Sequence, residues 1–104
     1  MAPTSDEIAV ALKVLRAEAD SWTGAADVLR SAAAALAARA LPRAAFSFKG
    51  ERVADLHEAL RSKTAARLAA GAANADGIAT TLRLSAAAYE AEEATGVHRM
   101  NGIY

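Results

Sequence analysis

Ser-Trp-Thr-Gly-Ala-Ala, Ser21 to Ala26, holds the only tryptophan of a 104-residue chain, followed two positions on by a glycine. A Trp-x-Gly triplet can mark a turn, or it can lie within a helix with the ring on a packing seam, and the two alternatives give different folds. The surrounding residues decide between them. Ile8, Leu12, Leu15, Ala19, Trp22, Ala26, Leu29, Ala33, Leu36 and Ala40 follow a repeat of four and three without a break. That spacing returns to one face of an α-helix every heptad. Trp22 falls on the seam and Gly24 off it, so the stretch reads as mid-helix.

The start of this helix is written in Thr4 and Glu7, an N-cap and a carboxylate three residues on that reaches back to it, with Asp6 adding negative charge at the positive end of the helix dipole. The helix is expected over about residues 4–40. Beyond the first turn a large residue alternates with alanine along its seam. This alternation lets a second helix approach closely and interdigitate.

Leu41 to Gly50, Leu-Pro-Arg-Ala-Ala-Phe-Ser-Phe-Lys-Gly, is the strong breaker cluster. Pro42 disfavours helix at Leu41 and lacks the N–H needed to extend the ladder, and Gly50 closes the segment. Phe46 and Phe48 are expected to cap the end of the core. A second helix is expected over about 51–94, with a mobile tail over 95–104. Its seam reads as Val53, Leu56, Leu60, Thr64, Leu68, Gly71, Ala75, Ile78, Leu82, Ser85 and Tyr89, with extra steps of four between Leu56 and Leu68 that locally unwind a supercoil. Gly71 and Gly77 each cost about 1 kcal/mol relative to alanine in a helix, which makes this the weakest point of the helix and leaves open whether it is kinked or broken there.

Two long helices and one loop make a single all-α domain, an antiparallel two-helix hairpin. A loop centred near residue 45 or 46 sets the register. Leu36 is then expected to meet Leu56, Leu15 to meet Ile78, and Trp22 to meet Gly71; Leu29 and Leu82 complete the packing set. Such a hairpin buries one stripe per helix. A second apolar track on helix 1, Val10, Val14, Ala17, Gly24, Val28 and Ala35, implies a partner, either a homodimer or a heterodimer with a related hairpin that forms a four-helix bundle.

Composition agrees with this class. More than half of the hydrophobic fraction is alanine, the best helix former but a small contributor of buried area, and there are two prolines. Twelve basic and twelve acidic residues are interspersed, so there is no basic stripe for nucleic acid. No cysteine is present, which removes disulfides and thiolate chemistry. The N-terminus has no basic segment followed by an apolar core, so no cleavable signal peptide is expected, and no apolar run reaches the ~18 residues of a membrane span.

Little points to catalysis. His57 and His98 fall in no metal-binding pattern, no cofactor motif is present, and no phosphate loop or nucleophile elbow appears. The expectation is a non-enzymatic protein with no metal and no cofactor. Tyr89 and Glu93, four apart, share one helix face and offer a ring with a carboxylate one turn on, a docking epitope.

The segment Thr81-Leu-Arg-Leu-Ser-Ala-Ala-Ala-Tyr89-Glu-Ala-Glu-Glu93, preceded by an Ala/Gly-rich helix and a Phe-x-x-Gly-like loop at Phe46, Phe48 and Gly50, resembles the EspC-like "type VII secretion target" proteins. These are ESX secretion-associated proteins of actinobacteria, distant relatives of the Trp-x-Gly helical hairpins. The layout of nearly the whole chain is similar, and the specific part spans roughly residues 78–93. The resemblance implies a hairpin exported by a type VII system. It implies that Tyr89 and Glu93 form a Tyr-x-x-x-Glu export signal, read by the secretion ATPase or a chaperone, with Val97, Met100 and Ile103 as apolar contacts of the tail. The protein would be cytoplasmic before export and secreted or at the cell surface afterwards. Trp22 departs from the Trp-x-Gly relatives, which carry their motif in the turn. A cytosolic helical interaction module, a chaperone or immunity-type partner, is the alternative reading.

Overall fold

The computed structural model describes residues 3–42 and 50–103, with side chains described as far as Ala94. Two helices, α1 (Ser5–Ala37) and α2 (Glu51–Ile103), make an all-α helical hairpin. Phe46 and Phe48 lie outside the described residues, as do the side chains of Val97, Met100 and Ile103.

The start of α1 is the reciprocal pair its sequence encodes. The Glu7 N–H donates to Thr4 Oγ1 at 3.1 Å, and the Thr4 N–H donates to Glu7 Oε2 at 3.3 Å. Two N-terminal donors that have no partner within the helix are thereby satisfied. At the other end α1 stops at Ala37, short of the expected Ala40. The Arg39 N–H turns back to Leu36 O at 3.2 Å, a tightened last turn. Pro42 accounts for the early stop, because its ring would crowd the carbonyl four residues before it, at Ala38.

Along α1 the seam falls where the heptads place it. Leu12, Ala19, Ala26 and Ala33 are buried, and Ile8, Leu15, Trp22, Leu29 and Leu36 are half-buried. Trp22 and Gly24 lie in mid-helix, so Trp-x-Gly is not a turn here.

α2 is continuous from Glu51 to Ile103. It passes through Gly71 to Gly77 without a break, as the single helix expected over 51–94 does. Alanines on both sides of Gly71 offset its propensity cost, and the Thr81 hydroxyl donates to Gly77 O at 2.9 Å. The helix also continues beyond Ala94, so the tail expected to be mobile from residue 95 is helical through Ile103.

The seam of α2 departs from expectation. Ala54, Ala72, Ala75, Ala79 and Ala86 are buried, whereas Val53, Leu56 and Leu60 are 57%, 63% and 67% exposed and Ile78 is 40% exposed. The contact line therefore runs one residue later at Ala54, His57 and Arg61, keeps the expected Thr64, Leu68, Ala75 and Leu82, and takes in Ala72, Ala79 and Ala86 beside half-buried Gly71, exposed Ile78 and half-buried Ser85. The extra step of four falls between Leu68 and Ala72, later than expected. Close approach explains the slip. Where two helices meet through alanine methyls, bulky aliphatic side chains do not fit between the axes and are turned to the flanks. Among the described residues, Leu12 is the one buried side chain larger than alanine.

The chain divides into two compact units, Met1–Thr23 with Asp76–Tyr104, and Gly24–Ala75. In the first, Arg16 of α1 pairs with Glu90 of α2, and Arg83 Nη2 of α2 donates to Asp20 Oδ1 at 3.0 Å and Thr23 Oγ1 at 2.9 Å. The later residue of α1 pairs with the earlier residue of α2, so the helices are antiparallel. These pairs are largely solvent-exposed, and each contributes at most about 1 kcal/mol.

In the second unit, a Cβ added to Gly71 would lie 3.5 Å from Leu29 Cδ1, and Arg61 Nη1 donates to the carbonyls of Ala37 at 2.9 Å and Leu36 at 3.4 Å. The expected register is thus wrong by about a heptad. Leu29, rather than Trp22, faces Gly71; Arg61, rather than Leu56, stands at the end of α1. The first turns of α2 precede the point at which it meets the end of α1, so facing positions are not centred on residue 46. Arg61 closes that end. It brings a cation to the C-terminal carbonyls of a helix whose own last turn has no basic residue.

Candidate functional site

Tyr89 and Glu93 lie one turn apart on α2, in the Met1–Thr23 and Asp76–Tyr104 unit. The Tyr89 ring is 59% exposed and Glu93 is half-buried. Both line a groove of about 810 Å³ against the first turns of α1. Its floor is apolar, formed by Ile8, Leu12 and Leu15 of the seam with Val14 beside them. Three carboxylates, Glu7, Glu92 and Glu93, stand around it.

The geometry follows from local sequence. Capping by Thr4 fixes where α1 begins, which places Ile8, Leu12 and Leu15 on the face turned to α2. The heptad then carries α2 from buried Ala86 to half-buried Glu93, and Tyr89 between them stays at the open side. Leu15 shares this groove with Tyr89, Glu92 and Glu93, and not with Ile78, its expected partner. A neighbouring depression, lined by Lys13, Arg16, Asp20 and Glu90, contains the Arg16–Glu90 pair.

The other packing residues are distributed differently. Leu29, Leu36, Gly71 and Leu82 are half-buried, as is Trp22, whereas Leu56 and Ile78 lie toward solvent. In the Gly24–Ala75 unit a second cavity of about 510 Å³ is lined by Leu36, Leu41, His57, Leu60, Arg61 and Thr64. Arg61 also receives Glu58 there as an ion-paired hydrogen-bond partner, with Arg61 Nε donating to Glu58 Oε2 at 3.0 Å. That hydrogen bond holds the Glu58 carboxyl below its ordinary value and the Arg61 guanidinium above its own.

No protein-family model, curated protein or solved structure matches this chain. The site must speak for itself.

Among the described residues, no group of three His, Cys, Asp or Glu side chains is placed to hold a metal ion. No buried side-chain polar atom there lacks a hydrogen-bond partner, and no helix is long and apolar enough to cross a membrane. Among the described residues, the groove at Tyr89 combines an accessible ring, an apolar floor and three carboxylates, which is the chemistry of a docking surface. Of the residues around this groove, Tyr89 and Glu93 are singled out by the sequence, and Glu7 and Glu92 are not. The signal for Glu7 was present in the capping box, but nothing in the chain sets the register that brings it beside α2.

Proposed function

We propose that this protein is a non-enzymatic substrate or secreted accessory protein of a type VII (ESX) secretion system, with Tyr89 and Glu93 as its Tyr-x-x-x-Glu export signal. The reading rests on that pair. The ring and the carboxylate are one turn apart, reachable from solvent, and border a single groove. A secretion ATPase or a chaperone would read them there, and the chain would be cytoplasmic before export and secreted or surface-bound afterwards. The test is to replace Tyr89 with Ala and, separately, Glu93 with Ala, and to follow the protein in culture filtrate and cell lysate. Each substitution is expected to leave the protein in the lysate. Unchanged export of both variants would sink the reading.

A second reading, a cytosolic helical interaction module that holds another helical protein, draws on a different observation. Val10, Val14 and Val28 on α1 are 61%, 59% and 69% exposed. Valines in a helical track exposed to this degree favour a covering partner, whether a second copy or a related hairpin. This reading requires no export, so retention of the wild-type chain in the lysate beside a co-purifying helical partner would favour it.

A further inference from the structure

We infer that the groove beside Tyr89 receives a basic amphipathic helix of a partner protein. The inference rests on the export reading only in assigning that partner to the secretion machinery. Its physical basis is a mismatch between an apolar floor and a rim of one charge. The lining of α1 extends from Glu7 to Leu15, roughly 12 Å along the axis, with Pro3 just ahead of the helix. That is long enough for about two turns of a third helix to lie on Ile8, Leu12 and Leu15.

Among the described residues, no lysine or arginine lines the groove beside Glu7, Glu92 and Glu93. The nearest cations of α1, Lys13 and Arg16, border the neighbouring depression, and Arg16 is engaged by Glu90. Among the described residues, Glu92 and Glu93 make no ion pair. The chain as a whole has a net charge of zero, so this negative charge is local.

The mode of recognition follows from the fold. Both helices use their backbone groups in their own ladders, and the described residues contain no strand to extend. Side chains must therefore make the contact, which is the helix-in-groove mode. Apolar residues at i, i+3 or i+4, and i+7 of the partner would cover the floor, and flanking Lys or Arg would meet the carboxylates. An acidic helix would place like charges together at the rim, and a neutral one would desolvate carboxylates with no compensation.

The full chain is tested by fluorescence anisotropy with a labelled synthetic Leu/Lys amphipathic helical peptide and its Leu/Glu counterpart. The Leu/Lys peptide is expected to bind at least about tenfold more tightly, in a salt-sensitive manner. Glu92→Gln with Glu93→Gln is expected to weaken it by about tenfold, two surface charge contacts being lost. Ala11→Trp, at an exposed position on the groove wall, is expected to block it while circular dichroism shows an intact helix content. Glu51→Gln with Asp27→Asn removes the same charge from the other unit and is expected to leave affinity unchanged.

The inference is overturned if the Leu/Lys peptide does not bind, if the two peptides bind alike, or if the control pair weakens binding as much as the groove pair. It is also overturned if light scattering finds self-association that Glu92→Gln with Glu93→Gln abolishes, since the occupant is then a second copy. The two proposals fail separately. Unchanged export of both the Tyr89→Ala and the Glu93→Ala chains, with the peptide pattern of the wild type intact, removes the export reading and leaves the groove; lost export with no peptide preference does the reverse.

Discussion

At the scale of single residues, the glycines and Arg61 make opposite points. Gly71 appears in sequence to be a hole for the tryptophan ring, yet a methyl group there would make ordinary contact with Leu29, and added Cβ atoms at Gly24 and Gly77 meet nothing within 4 Å. None has a positive φ. Gly24→Ala and Gly77→Ala are therefore each expected to stabilise the fold by about 0.5–1 kcal/mol, the helix-propensity difference, as measured by urea denaturation. Arg61, by contrast, looks in sequence like one more surface cation, and it holds both Glu58 and the end of α1. Because the folded-state value of Glu58 is depressed, its contribution to stability is present above the unfolded carboxylate value and is lost as pH falls through the depressed one. An NMR titration should place the Glu58 midpoint below the ordinary glutamate range, and in Arg61→Met it should return to that range.

At the scale of the elements, the seam is made of alanine. Ala26 is fully covered, so Ala26→Leu must separate the helices and is expected to cost about 1–3 kcal/mol of stability despite adding apolar area. Leu56 stands 63% exposed one helical step from the true seam, and Leu56→Gln is expected to change stability by no more than about 0.5 kcal/mol. Thermal unfolding of both variants checks the pair together, since a seam through Leu56 would reverse the order. The α1 seam was legible because its large residues recur without interruption beside Thr4 and Glu7. That of α2 was not, because its large apolar residues do not mark the seam: in a closely approached pair small side chains fill the interface.

At the scale of the whole molecule, a hairpin with an alanine interface buries little apolar area, and at about 25 cal/mol per Å² that gives each seam a small driving force. Exposed Val10, Val14 and Val28 offer a further apolar surface. If a second copy covers them, as proposed for a four-helix bundle, the unfolding midpoint is expected to rise with protein concentration, and Val14→Asp should remove that dependence. A midpoint that is independent of concentration in the wild type would leave a heterotypic partner as the remaining form of the proposal.

The sequence by itself determined that the chain is two helices, where the first begins, which face of it is buried and that Trp22 lies within it. These are consequences of periodicity, capping and a proline, all local in the chain. Only the tertiary structure decided which residues of α2 face α1, that Leu29 meets Gly71, that Arg61 closes α1, and that Glu7 and Glu92 join Tyr89 and Glu93 at one groove. Register between helices depends on how closely their axes approach and on where the loop lets α2 begin. Neither is written in the spacing of one helix, and on α2 the bulky Val53, Leu56 and Leu60 stand off the contact line that alanines occupy.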